Sequence, residues 1–385
     1  MLSSFNITFL GTASAQPTST RNHSSLALRL GSEVWLFDCG ESTQRQIQAS
    51  KGIRMGKIRK VFITHTHGDH IFGLLPLLAS CMNGAGGTID GVDDPRTNSN
   101  EVECSEPFEI YGPAGTRAFV RGGLRWTHTL LGSKYMVHEL LFNTDPDEGE
   151  EKTIPLHASE ILGRNIRQNS DGNWTDIFHN PLLSVSAAPI LHSVPCVGYV
   201  VQEAPIPGKM DIMLYKPHIL RNKAPMSLLS KLQAGEMVTL PDGTIMEPPP
   251  RKPGRKIVIL GDTYDPSPIA TLGEDADVLI HEATNAYLSG IDPTTKEDES
   301  EELVENRTKS RGHSTPQMAG TFARRIRAKR LVLNHFSARY RGDDDVSDEA
   351  RYIMEAIGNL AKQAYGSDKV TCARDCMSLE VDKPS

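Results

Sequence analysis

Long apolar runs are missing from this chain of 385 residues. The aliphatic stretch Ile257–Leu260 stops after four residues, far short of the roughly 18 needed for a membrane-spanning helix, so a transmembrane span is excluded. Cysteine is scarce. Six residues (Cys39, Cys81, Cys104, Cys196, Cys372, Cys376) spread over so long a chain build no disulfide framework, and a cytoplasmic and/or nuclear compartment is expected. Cys372 and Cys376 find no second pair to complete a structural zinc site. No basic stretch and no apolar core precede the alternating Phe5, Ile7 and Phe9, so no secretory signal is expected.

A basic excess is also lacking, the net charge being -7. The acidity is local, however: five acids lie between Asp145 and Glu151 and six between Glu297 and Glu305, with no base in either stretch. With those eleven set aside, 37 acids face 41 bases, and a nucleic-acid partner stays open. The hydrophobic share of 38% suffices for a buried core.

What is present is a repeated pattern of a short apolar β-rich run ending in a chemically loaded tip. It recurs at Asn6–Leu10, at Val34–Phe37 before Asp38-Cys39-Gly40, and at Val61–Thr64 before His65. It returns at Ile257–Leu260 before Gly261-Asp262, at Val278–Ile280 before His281, and at Leu331–Asn334 before His335. Buried strands with polar C-terminal ends describe a layered α/β enzyme with its site along one sheet rim. Thr315-Pro316 reads as a helix start, a cap followed by proline, with Met318, Phe322 and Ile326 as an apolar stripe. Three stretches read as insertions: Met82–Glu106, Asn143–Asn180 and Pro205–Pro253. The last carries Lys209, Lys216, Arg221, Lys223 and Lys231 against Asp211 alone up to Gly235, which suggests a projecting basic arm.

The strongest signal is His65-Thr66-His67-Gly68-Asp69-His70 at a strand tip. Three imidazoles packed without a cation would stack like charges on protonation and bury several donors, whereas a divalent ion takes neutral imidazole and carboxylate as natural ligands. Alternation sends His65 and His67 toward one ion, and the next turn sends Asp69 and His70 toward a neighbour. Four ligands are too many for one open catalytic ion and too few for two. His192, Asp262 and His335 each follow an apolar run and could complete the set.

The order of these motifs resembles the metallo-β-lactamase superfamily and, within it, the short form of the ribonuclease Z family of tRNA 3′-processing endonucleases. The similarity is carried by Phe9–Ser14, Arg21–Ser25, Asp38–Gln44, His65–His70, His192–Pro195, Gly261–Thr263, His281–Thr284, Gly312–Thr315 and His335–Tyr340. It implies a four-layer αβ/βα sandwich over residues 1–385, with 205–253 as an inserted substrate-binding arm. It implies two Zn²⁺ per chain, Mn²⁺ accepting the same ligands: His65, His67 and His192 on one ion, Asp69, His70 and His335 on the other, Asp262 bridging. By the same resemblance Asp69 receives a proton from the attacking water and His313 donates one to the leaving oxygen, while His281 and Glu282 orient ligands from behind. In the loop Pro17–Asn22, Ser19 stands where the family usually has lysine, so Arg21 is left to contact phosphate, and Lys209, Lys216, Arg221, Lys223 and Lys231 join it as RNA contacts. The arm tip Ala224–Leu229 departs from the Gly-Pro-rich tip of the family. Precursor tRNA as substrate and a homodimer, with no membrane, are the implied partners. The alternatives are a small-substrate phosphodiesterase, another hydrolase of this fold acting on thioesters or aryl sulfates, and a scaffold that has lost catalysis.

Overall fold

The computed structural model describes residues 5–82, 106–146, 153–206, 208–296 and 298–382. Its strands, in chain order, are β1 (Phe5–Gly11), β2 (Ser25–Leu30), β3 (Glu33–Phe37), β4 (Ile58–Phe62), β5 (Phe108–Pro113), β6 (Tyr135–Leu141), β7 (Glu160–Arg167), β8 (Trp174–His179) and β9 (Leu183–Ile190). They continue as β10 (Cys196–Glu203), β11 (Val238–Thr239), β12 (Ile245–Met246), β13 (Lys256–Ile259), β14 (Val278–Glu282), β15 (Leu331–Asn334), β16 (Val370–Cys372) and β17 (Ser378–Glu380). One sheet runs β17-β1-β2-β3-β4-β5-β6-β7 and the other β16-β15-β14-β13-β10-β9-β8. From β3 to β7 in the first sheet, and from β13 to β16 in the second, neighbours are parallel. All the loaded strand tips except that of β1 come from these parallel regions, whose strand ends share one rim, as the rule for open α/β sheets requires.

Alternation along the strands divides the apolar residues into two faces. Phe9, Leu28, Trp35, Phe37 and Phe62 of one sheet meet Val185, Tyr199, Ile257, Ile280 and Val332 of the other in the central layer. The opposite faces carry helices. Leu36, Val61, Ile110 and Val137 pack under Ile47, Leu74, Leu78, Val120 and Leu124, and Val258, Leu279 and Leu331 pack under Phe322, Ile326, Met354 and Ile357. This is the expected helix-sheet-sheet-helix sandwich. The helix Pro316–Arg325 starts as expected, Thr315 Oγ1 accepting from Met318 N with Pro316 in the first turn.

One insertion reading needs revision. Residues 143–180 supply β7 and β8, the edge strands of the two sheets, and Trp174 is buried in the central layer, donating from Nε1 to the Leu141 and Ile166 carbonyls. Of β7 only Glu160 is buried, so its sequence lacks the alternation that marks a strand. Residues 83–105 lie outside the described residues. Within 205–253, helices Ile212–Arg221 and Leu228–Ala234 and the β11–β12 hairpin enclose Ile219, Leu232, Val238, Leu240 and Met246, and Ile206 bridges to Lys252. No helix among the described residues is long and apolar enough to cross a membrane.

Candidate metal centre

Chain segments far apart in sequence bring the seven candidate ligands to one rim. β4 leads into His65 and His67; the short turn Gly68–Ile71 presents Asp69 and His70; His192 follows β9, Asp262 follows β13 and His335 follows β15. They fall into two groups, His65 with His67 and His192, and Asp69 with His70, Asp262 and His335, the possible ligand atoms of each group lying within 4.8 Å of one another. In the first, His67 Nδ1 is 3.1 Å from His65 Nε2 and 3.3 Å from His192 Nε2. In the second, His70 Nε2 and His335 Nε2 are 3.2 Å apart, and Asp69 Oδ2 lies 3.6 and 3.5 Å from them. Asp262 stands between the groups: its Oδ2 is 3.8 Å from His65 Nε2 and 4.0 Å from His192 Nε2, its Oδ1 3.4 Å from His70 Nε2 and 3.2 Å from His335 Nε2.

The outward ring nitrogens test whether a metal fits. His192 Nδ1–H donates to the Gly312 carbonyl at 2.7 Å, and His70 Nδ1–H donates to Asp38 Oδ2 at 2.7 Å. His65 Nδ1 meets Thr64 Oγ1 at 3.0 Å, and that hydroxyl donates onward to Asp38 Oδ2. His335 Nδ1 meets Thr284 Oγ1 at 3.2 Å, which likewise donates to Glu282 Oε2. With the outer nitrogens so engaged, the Nε2 atoms of His65, His70, His192 and His335 face inward, where each can offer a lone pair to a metal ion. Lone pairs at such separations repel unless a cation or shared protons lie between them, and the donor set is that of divalent zinc. Burial and the neighbouring His70 hold His65 well below its usual pKa and therefore neutral. For His70, burial acts downward but Asp262 and Asp38 outweigh it, so with no cation present the group stays protonated.

Two positions of the site are backbone-strained. Asp38 and His335 adopt φ of 59° and 57°, a left-handed conformation that non-glycine residues take at a cost. The His335 region is held by Arg21. This guanidinium is buried, donates to Thr12 Oγ1 (2.6 Å) and to the Ala373, Tyr340 and Arg341 carbonyls (3.0, 2.8 and 3.1 Å), and lies 4.5 Å from the ring centroid of Phe336. Arg21 is thus a clamp inside the protein and not the phosphate contact expected from its loop.

Glu282 and His281, adjacent on β14, point to opposite faces. Glu282 is buried toward the site, where Oε1 accepts from Thr263 N at 2.8 Å and from His313 Nδ1 at 3.1 Å. His281 points the other way, against Phe322, and its Nε2 has no partner, so the expected ligand-orienting role falls to Glu282 alone. Burial acts to lower the pKa of His313, but the Glu282 carboxylate, and after it Asp262, lifts it to about 9. Gly312 has φ +86°, and a Cβ there would fall 2.5 Å from His192 Nδ1, so only glycine lets its carbonyl reach that ring. Asp38, Thr64 and Thr284 are site residues that the sequence reading does not single out, although each lies in a strand-tip run or a motif it names. Lys209, Lys216, Arg221, Lys223 and Lys231 all lie exposed on the arm, and Arg221 pairs with Asp242 at 2.8 Å.

Two helix-flanked sheets with histidines and aspartates gathered on their common rim define a protein of the metallo-β-lactamase fold. A solved structure of human tRNase Z, short form, is similar with a TM-score of 0.61 and 30% identity, covering 98% of this chain and 99% of that one. Zinc phosphodiesterase ELAC protein 1 of Homo sapiens is 36% identical over 98% of this chain and 99% of its own length, and ribonuclease Z of Bacillus velezensis is 35% identical over 95% and 98%. The chain belongs to the ribonuclease Z family. Residues 5–84 also match the family model described as Anti-Pycsar protein Apyc1. The metallo-β-lactamase fold protein YhfI of Bacillus subtilis shares the fold at 16% identity, with a TM-score of 0.53.

Proposed function

We propose that this protein is a zinc-dependent endoribonuclease that removes the 3′ trailer from precursor tRNA, with His65, His67 and His192 holding one ion, Asp69, His70 and His335 a second, and Asp262 between them. Two divalent ions held there would supply Lewis acidity to the phosphoryl oxygens and would lower the pKa of a water. The rest is the work of this chain's own groups. His70 and His335 keep the Asp69 carboxylate ionised against the effect of burial, so it can accept a proton. Ala15 N donates to its Oδ2 at 2.9 Å and fixes its direction. His313 holds one proton on Nδ1 against Glu282, leaving the Nε2 proton for the departing 3′ oxygen. The tRNA keeps a 3′ hydroxyl and the trailer a 5′ phosphate.

The observation that carries this reading is the pairing of two ligand groups through Asp262 in a chain whose relatives over nearly its full length bear the names ribonuclease Z and zinc phosphodiesterase. The basic arm supports the RNA part, since its exposed Lys209, Lys216, Lys223 and Lys231 suit the backbone of a folded RNA, and a small ester has no need of them. A homodimer and a cytoplasmic or nuclear place belong to the same proposal.

The test is incubation with a 3′-extended precursor tRNA and with bis-p-nitrophenyl phosphate, before and after chelation. Metal-dependent cleavage of both is expected. Hydrolysis of the small ester with the RNA untouched would assign the protein to small-substrate phosphodiesterases.

A further inference from the structure

Phe72 and Trp126 are exposed to 61% and 75%. Such exposure is common for lysine and costly for large aromatic rings, and both rings share a second property. Each lies on a glycine. A Cβ at Gly68 would come within 2.3 Å of Phe72 Cε2, and one at Gly122 within 2.9 Å of Trp126 Cζ3. One face of each ring is therefore seated on bare backbone while the ring as a whole stays open to solvent. Gly68 stands between His67 and Asp69, so the first ring adjoins the metal centre directly.

Phe119 joins the two. Its ring stacks with Phe72 at a centroid distance of 6.3 Å and an interplanar angle of 23°. Phe119 and Trp126 share a face of the helix Thr116–Trp126, two turns or about 10 Å apart along its axis. The three rings make a row that begins at the candidate ligands and runs outward over a length suited to two or three unpaired nucleotides. Flat aromatic rings with an open face are the usual platform for single-stranded bases, because every base has a π-face to stack.

We infer that Phe72, Phe119 and Trp126 form a stacking track for the unpaired trailer nucleotides beside the scissile phosphate; the choice of RNA as occupant rests on the function proposed above and on the continuity of the row with the metal centre.

Intrinsic fluorescence of the metal-loaded protein reads the track without cleavage. Of the three tryptophans, Trp35 and Trp174 are buried, so quenching by a stacked base acts on Trp126. Single-stranded hexaadenylate should quench the wild type, Trp126→Phe should lose most of the quench, and Phe72→Leu should weaken binding about tenfold, the size of one lost base-aromatic contact. Phe72→Tyr should restore it. In cleavage, a precursor whose first two trailer positions are abasic should be a poorer substrate for the wild type by about tenfold in kcat/KM, and Phe72→Leu should erase that preference. Absence of quenching, or an unchanged preference in Phe72→Leu, overturns the inference. So does a mass change showing that Trp126→Ser separates two copies of this chain while RNA binding is kept, which assigns the row to a protein interface. Quenching by hexaadenylate with no cleavage of precursor tRNA leaves the track standing and refutes the proposed reaction instead.

Discussion

Replacing Asp38 by Asn exchanges one acceptor oxygen for an NH₂ group at the point where both ligand groups are tied together. Asp38 Oδ1 accepts from Thr64 N at 2.7 Å, and Oδ2 accepts from Thr64 Oγ1 at 2.9 Å and from His70 Nδ1 at 2.7 Å. An amide serves only one side. With its NH₂ toward Thr64 N, two donors face each other in the interior, at a cost of about 1–3 kcal/mol. With its NH₂ toward His70, that ring must accept at Nδ1 and carry its proton on Nε2, pointing into the metal centre, where it cannot ligate. Loss of such an outer partner weakens metal binding by about 10–100-fold. We expect Asp38→Asn to bind its second zinc ion weaker by that factor in a competition titration with a chelating dye, or else to melt lower than the wild type in the metal-free state. A variant with unchanged metal-free melting and two ions bound at wild-type affinity would refute the tautomer argument.

Other expectations are as direct. His313→Ala should reduce kcat on precursor tRNA by about 10²–10⁴-fold while zinc content, measured by elemental analysis, stays the same. Glu282→Gln removes the charge that raises His313, so the alkaline fall of the rate, which follows loss of the acid's proton, should shift to lower pH in a pH-rate profile; His281→Leu should leave that profile in place. Because His70 is protonated in the metal-free state, zinc must displace a proton there, and affinity at that site should rise with pH, with proton release visible in calorimetry run in buffers of different ionisation enthalpy. Removing residues 209–231 should abolish RNA cleavage and spare bis-p-nitrophenyl phosphate; equal loss of both would reject the arm as an RNA contact.

Much of the rim was legible before any coordinates, because each candidate ligand follows a short apolar run and strand ends in parallel regions converge. His65–His70 declares itself by density alone. Asp38 stands out only as a loaded strand tip within a motif; nothing in that position shows that its carboxylate will orient the ring of a histidine 32 residues later. Arg21 is expected to contact phosphate because the resemblance leaves it the one base of its loop, and only the packing of Tyr340, Ala373 and Phe336 around it shows that it is buried. For His281 and Glu282, strand alternation already implied opposite faces, but not which one looked toward the metal centre. The edge strands β7 and β8 were hidden because one-sided burial leaves few apolar positions to count.

The pairing of β1 with β17, in register from Asn6 opposite Glu380, has a consequence for the protein's life during synthesis. The candidate ligands are drawn from residue 65 to residue 335, and β17 adds the edge strand beside β1. A ribosome that stalls partway therefore releases a fragment that holds the His65–His70 cluster but lacks the distant partners that would arm it. Under the proposed function, such a fragment should neither bind two ions nor cleave precursor tRNA.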